Sequence, residues 1–277
     1  MFKCLAQRNV RMSKCAYVQM NTLYFVFEFL SAHLRILSSA FYKIPLRYMT
    51  NKVVFQDTGK RHYKEVWDYQ ENLLMQGVKT KQAAAEGEKP TNYLLFTEHF
   101  PVYTLGKNGK EEHVLISEAE REQKSVEYFH INRGGDITFH GPGQLVGYPI
   151  FDLDQFKPDL NWYLRNLEEV MILTMAEYGL HGERSKGETG VWMNTDVKGR
   201  ERKICAMGIR CSRWITMHGF AFNVNTDLSF FDYIIPCGIQ DKKVTSLEVE
   251  LGQSVSMDEV KEIVKQNFEK VFDITFV

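Results

Sequence analysis

The 277-residue chain contains no apolar stretch long enough to cross a bilayer as a helix, which takes about 20 residues; the segment Leu23–Leu30 is too short and is broken by Glu28. Cysteine is scarce. Cys4, Cys15, Cys205, Cys211 and Cys237 include no C-x-x-C pair, which argues against a disulfide framework or a structural zinc site and points to a reducing compartment. Charge of one sign is not in excess either. A formal net charge of −1 indicates neither a nucleic-acid partner nor a stable membrane association. There is no internal repeat and no composition break after Val53, so one domain after a leader is the simplest organisation.

The charge is unevenly spread. Lys3, Arg8, Arg11, Lys14, Arg35, Lys43 and Arg47 stand against a single acid, Glu28, in residues 1–51, a local charge of +6, which leaves −7 on residues 52–277. A basic, serine-containing, acid-poor start fits a mitochondrial transit peptide and a matrix location. Two alternatives stay open: initiation at Met49, or a secretory signal. The expected division is therefore a leader over 1–51 and a catalytic domain over 52–277.

Along the body, Tyr63, Val66, Trp67, Gln70, Leu73 and Leu74 recur at helical spacing. Gln82–Pro90 reads as a loop, and Tyr93–Phe96 and Val102–Leu105 as strands split by Pro101. Ser117 with Glu120, and Ser256 with Glu259, have capping-box spacing. Val126–Ile131 is a further expected strand. Asp159–Tyr178 is the clearest helix, with Gly179 as its stop. Strands are expected again at Thr189–Met193, Lys203–Ile209 and Trp214–Asn223. Strands outnumber helices without alternating with them, so the predicted class is α+β, a mixed β-sheet core flanked by helices.

Three segments carry chemistry. The loop 133–144 (RGGDITFHGPGQ) lets backbone amides approach a ligand through its glycines and adds Arg133 and His140, though it also reads as a plain glycine-rich hairpin; it is neither a P-loop nor a dinucleotide fingerprint. Lys203 stands at the mouth of an otherwise apolar strand, where a solvated end is the bland alternative. Cys205 follows within the strand and reads as core. Cys237, between Pro236 and Gly238, lies in turn chemistry that exposes a thiol. A cation lowers a thiol pKa from about 8.5, and Lys203 would supply it if strand and turn meet. Lys198, Arg200, Arg202, Lys203, Arg210 and Arg213 read either as a dock for an acidic carrier or as a solvated basic loop.

The blocks RGGDITFHGPGQ (133–144), RKICAMGIR (202–210), HGFAFNVNTDL (218–228) and IPCGI (235–239), in this order and spacing, resemble those of the lipoyl(octanoyl) transferases. These are octanoyl-carrier-protein:protein octanoyltransferases of the biotin/lipoate protein ligase superfamily. EHFPVYTLG (98–106), GVW (190–192) and VTSL (244–247) are similar too, and the resemblance covers about Val53 to the C-terminus. Gly208–Cys211 and Ile215–His218 resemble the mitochondrial branch.

The resemblance implies a biotin/lipoate ligase-like catalytic domain, with Cys237 as acyl-thioester nucleophile and Lys203 as the lysine that lowers its pKa. It implies an acyl-binding loop of Arg133, Gly134, Gly135, Asp136, Ile137, Thr138, Phe139 and His140. Further substrate contacts fall on Ala206, Met207 and Gly208, and on Gly219, Phe220 and Ala221; Phe220 and Met207 depart from the residues expected there but remain apolar. The implied donor is octanoyl-acyl carrier protein. The implied acceptors are lipoyl domains of 2-oxoacid dehydrogenase complexes and the glycine cleavage H protein, with no cofactor, no metal and no ATP. The alternatives are an ATP-dependent lipoate or biotin ligase, a lipoyl-domain-to-lipoyl-domain amidotransferase, and an inactive acyl- or carrier-binding module.

Overall fold

The computed structural model describes residues 50–83, 87–235 and 243–277. All but the last two residues of the basic leader, and the Pro236-Cys237-Gly238 step, lie outside the described residues. So do Cys4 and Cys15.

The described strands form two sheets. The strands are β1 (Asn51–Arg61), β2 (Asn92–His99), β3 (Val102–Leu105), β4 (Glu127–His130), β5 (Ile137–His140), β6 (Gln144–Ile150), β7 (Glu183–Arg184), β8 (Val191–Met193), β9 (Arg202–Ser212), β10 (Ile215–Asn223), β11 (Lys243–Val244) and β12 (Ile274–Phe276). The larger sheet runs β12-β1-β2-β6-β10-β9-β8-β7, with β11 beside β9; the smaller runs β4-β3-β5. Pairing is mixed. β1 is parallel to β2 and β12, whereas β2, β6, β10, β9 and β8 follow one another antiparallel. With the flanking helices this is the α+β arrangement expected from sequence.

Among the described residues, five α-helices flank the sheets: α1 (Tyr63–Ala83), α2 (Glu118–Gln123), α3 (Leu160–Glu177), α4 (Leu247–Leu251) and α5 (Met257–Phe272). The capping box of α2 forms, with Ser117 Oγ accepting from Glu120 N while Glu120 accepts from Ser117 N. Asp159 caps α3 by accepting from the amides of Asn161 and Trp162, and Ser256 caps α5. The apolar stripes of α3 and α5 cover one face of the large sheet: Tyr163, Leu167, Val170 and Met171 meet Val260, Val264 and Phe268 around Phe96, Phe220 and Phe222. Each such side chain contributes about 1.5–3 kcal/mol relative to exposure. Val66, Leu73 and Leu74 of α1 cover the other face, against Val146, Tyr148 and Ala221.

Six of the described strands, β1, β5, β6, β7, β11 and β12, escape sequence reading, and two of them show why. All seven residues of β6 are buried, because it lies centrally with packed layers on both faces, so no apolar–polar alternation marks it. β1 has only Val53 fully buried among its eleven residues, and it is a strand because β2 and β12 pair with it on both edges.

Candidate active site

The space for a ligand comes from small side chains in register. Across β9 and β10, Ala206 lies opposite Ala221, and Gly208 opposite Gly219. These four positions border a cavity of about 300 Å³. Its opposite wall is the loop entering β5, held by its own backbone. Gly134 N donates to Ile209 O at 2.9 Å, and the amides of Gly106, Lys107 and Asn108 donate to the carbonyls of Asp136, Arg133 and Gly135. Gly208 is required by this approach, since a Cβ there would stand 2.8 Å from Gly134 O. The Arg133 guanidinium is turned inward, donating to Thr104 O (2.7 Å), Thr104 Oγ1 (3.0 Å) and Gly134 O (3.0 Å).

Of the residues implied by resemblance, the fold gathers Arg133, Gly135, Asp136, Ile137, Thr138, His140, Lys203, Ala206, Met207, Gly208, Gly219, Phe220 and Ala221 around this cavity. Gly134 and Phe139 do not line it. Gly134 is spent on the bond to β9, and Phe139 is fully buried, stacked on Phe230 at 4.6 Å and packed against Tyr103 and Phe231. Phe139 therefore supports the loop from behind. Cys237 lies outside the described residues, but Phe231 and Val244, which bracket it in sequence, both line the cavity.

Gln144 decides the protonation of His140. Its Nε2 donates to Phe139 O (3.1 Å) and Asn223 Oδ1 (2.9 Å), so its Oε1 is the atom that accepts from His140 Nδ1 at 2.8 Å. His140 thus presents Nε2 as an acceptor toward Thr104 Oγ1. Burial, and then the neighbouring His99, hold His140 well below the usual histidine range. His99 donates from Nδ1 to Arg61 O and accepts at Nε2 from the Tyr148 hydroxyl (2.7 Å); burial brings its pKa to about 4. His218 is brought to about 3 by burial and then by Arg133 and Arg210, and sits at φ 60 within β10, a left-handed conformation that strands rarely tolerate. All three histidines are therefore neutral near pH 7.

Lys203 is a basic side chain on the border of this cavity. It lies opposite Trp192 in the β8–β9 register, with Nζ 4.5 Å from the centroid of the indole ring. A cation over an indole is stabilised by about 0.5–2 kcal/mol. Trp192 is itself positioned from behind. Glu168 of α3 is fully buried, paired with Arg165 and Arg184, and accepts from Gly190 N at 3.0 Å. Gly190 is at φ 104, and a Cβ there would meet Cys205 O at 2.4 Å, so only glycine lets β8 come this close to β9. Cys205 is core, as its pattern indicates: it is fully buried, and burial followed by Glu168 pushes its thiol up. Burial also pushes up the half-buried Cys211 thiol.

The basic run is taken apart by the fold. Arg202 forks onto Glu250 (2.5 and 2.6 Å), Arg210 pairs with Glu71, and Lys203 borders the cavity. Arg213 lies in the β9–β10 turn, at the far end of β9 from Lys198 and Arg200. The six residues do not form one docking surface.

Tyr63, Gln144, Tyr148 and Asn223 also line the cavity and are not marked by sequence. Tyr63 hides in the apolar stripe of α1. The His140–Gln144 pair had a signal, since its spacing across Gly141-Pro142-Gly143 brings both side chains to one hairpin end.

Residues 63–269 match the lipoyl protein ligase A/B catalytic domain. An octanoyltransferase from Christiangramia forsetii is 56% identical over 228 residues, covering 81% of this chain and 97% of that protein. One from Flavobacterium johnsoniae is 55% identical, covering 83% and 100%. Among solved structures, the bipartite lipoate protein ligase of Thermoplasma acidophilum superposes with a TM-score of 0.60 at 17% identity, covering 83% of this chain and 86% of that one. A lipoate-protein ligase A bound with ATP gives 0.58 at 16%, covering 83% and 88%. At those identities the structural likeness speaks for the fold. The sequence likeness spans nearly the whole length of the named relatives, and the chain belongs to the lipoyl protein ligase A/B catalytic-domain family.

Proposed function

We propose that the chain is an acyltransferase of protein lipoylation that moves an octanoyl group from octanoyl-acyl carrier protein, through a thioester on Cys237, to the acceptor lysine of a lipoyl domain. The observation that carries this reading is the cavity itself: a floor of Ala206, Gly208 and Ala221 with room for an alkyl chain, neutral histidines in its walls, and Lys203 on its border. Relatives more than half identical are octanoyltransferases.

In the first step the Cys237 thiolate attacks the carbonyl carbon of the carrier thioester. The carbon–sulfur bond to the carrier breaks, and its leaving thiolate takes a proton from the Lys203 ammonium. In the second, the acceptor lysine amine attacks the acyl-enzyme, the bond to Cys237 breaks, and Lys203 receives the proton released as the amide forms. An amide is more stable than a thioester, so no ATP enters. The acceptors this chemistry fits are lipoyl domains of 2-oxoacid dehydrogenase complexes and the glycine cleavage H protein.

Octanoyl carrier protein and a lipoyl domain, mixed with the enzyme without ATP or magnesium, are expected to give octanoylated domain by mass spectrometry. Free octanoate with MgATP is expected to give none. Product that requires free acid and ATP would make the chain a ligase instead.

The matrix location rests on the +6 leader and on the likeness of Gly208–Cys211 and Ile215–His218 to the mitochondrial branch; the relatives named above are bacterial. Residues 1–51 fused to a fluorescent reporter are expected to carry it into mitochondria. A reporter that stays cytosolic or is secreted would reject the transit peptide.

A further inference from the structure

His113 takes no part in the steps above, yet it touches both sides of the site. It ends a short 3₁₀ turn (Glu111–His113), and its side chain is 14% exposed. Its Nδ1 donates to Asp136 Oδ2 at 2.5 Å, while Asp136 Oδ1 accepts from Ile137 N at 2.7 Å, so both carboxylate oxygens are fixed. Asp136 lines the cavity.

The backbone of His113 faces the other way. Its carbonyl accepts from Ile235 N at 2.9 Å, Val114 forms an antiparallel bridge with Ile234, and Leu115 N donates to Tyr233 O at 2.9 Å. Ile235 precedes Cys237 by two residues. Upstream, the amides of residues 106–108 hold the carbonyls of the glycine loop. Segment 106–115 is thus bonded to the acyl loop along one part and to the chain entering Cys237 along another. His113 is the residue that makes both attachments.

We propose that His113 is a positioning residue for acyl transfer, setting the spacing between the glycine loop and the chain that carries Cys237. The inference rests on the function proposed above. A hydrogen bond to a carboxylate is about twice as strong as a neutral one, and Asp136 contributes it from a backbone already bonded at Gly106. Acyl transfer is sensitive to such a brace, because misplacing reacting atoms by about 1 Å costs on the order of 100-fold in rate. Neither residue needs to touch the acyl group for this.

The test uses the full-length enzyme and its octanoyl transfer reaction. His113→Leu removes the side-chain donor and leaves the backbone bond to Ile235. It is expected to lower kcat by about 10- to 100-fold, with KM for the lipoyl domain little changed. His113→Asn, whose Nδ2 stands near the position of Nδ1, is expected to recover most of the loss. Asp136→Ala combined with His113→Leu is expected to be no worse than Asp136→Ala alone, since both remove the same bond. Thermal unfolding of each variant separates loss of fold from loss of rate; should His113→Leu not fold, Asp136→Ala and His113→Asn carry the comparison. Wild-type kcat in His113→Leu, no recovery in His113→Asn, or multiplicative losses in the double variant would overturn the proposal. Absence of transfer by the wild-type enzyme would instead reject the proposed function.

Discussion

Cys237→Ala is expected to abolish octanoyl transfer, with a loss in kcat of about 10⁴- to 10⁶-fold, the range found when a covalent nucleophile is removed. The expectation begins with elimination among the thiols. Cys205 is fully buried in the sheet core with its thiol pushed up, and Cys211 is half-buried with its thiol also pushed up. Neither is poised as a thiolate near pH 7. Cys4 and Cys15 lie in the leader, outside the region that resembles the family. Cys237 follows Ile235, which is held to His113, and precedes Val244, which lines the cavity. The enzyme incubated with octanoyl carrier protein alone should gain one octanoyl mass, and peptide mapping should find it on Cys237. Cys205→Ala should acquire the adduct as the wild type does. An octanoyl group recovered on Cys205 or Cys211, with Cys237 unmodified, would end the assignment.

Sequence and fold agree where one local cause decides the outcome. Ser117 and Glu120 form their capping box, and the stripe of Asp159–Tyr178 becomes α3, because capping and amphipathic periodicity act over a few residues. β6 was invisible for the opposite reason: its burial comes from β2 and β10 on its edges and from layers on both faces, all distant in sequence. The site divides in the same way. Ala206 with Ala221 and Gly208 with Gly219 are separated by a turn in sequence, and only antiparallel register shows why four small side chains are needed together. Family resemblance identified these positions without that reason. It placed Phe139 among the substrate contacts, although the ring turns away toward Phe230. His113 was legible from neither direction, because its partners Asp136 and Ile235 are 23 and 122 residues away.

Lys203→Met is expected to lower kcat by about 10²- to 10⁴-fold, the contribution typical of a positioned general acid–base. It is also expected to move the alkylation profile of Cys237 to higher pH by about one unit or more. Both effects come from a single cation. Lys203 Nζ sits over the buried Trp192 ring, which restricts where the ammonium can stand. Its main chain is fixed as well, since Thr245 N, just after β11, donates to Lys203 O at 2.9 Å. Methionine keeps most of the side-chain volume, so the fold should survive while the charge and the exchangeable proton are lost. Lys203→Arg separates those two losses. Arginine preserves the cation but cannot be deprotonated in a protein, so iodoacetamide alkylation of Cys237 should keep nearly the wild-type pH profile while octanoyl transfer remains low. Full transfer by Lys203→Arg would reduce Lys203 to an electrostatic role, with the acceptor amine losing its proton to solvent. An alkylation profile unmoved in Lys203→Met would show that lysine and thiol do not interact, and the two-residue mechanism would fail even if Cys237 were confirmed as the acylated residue.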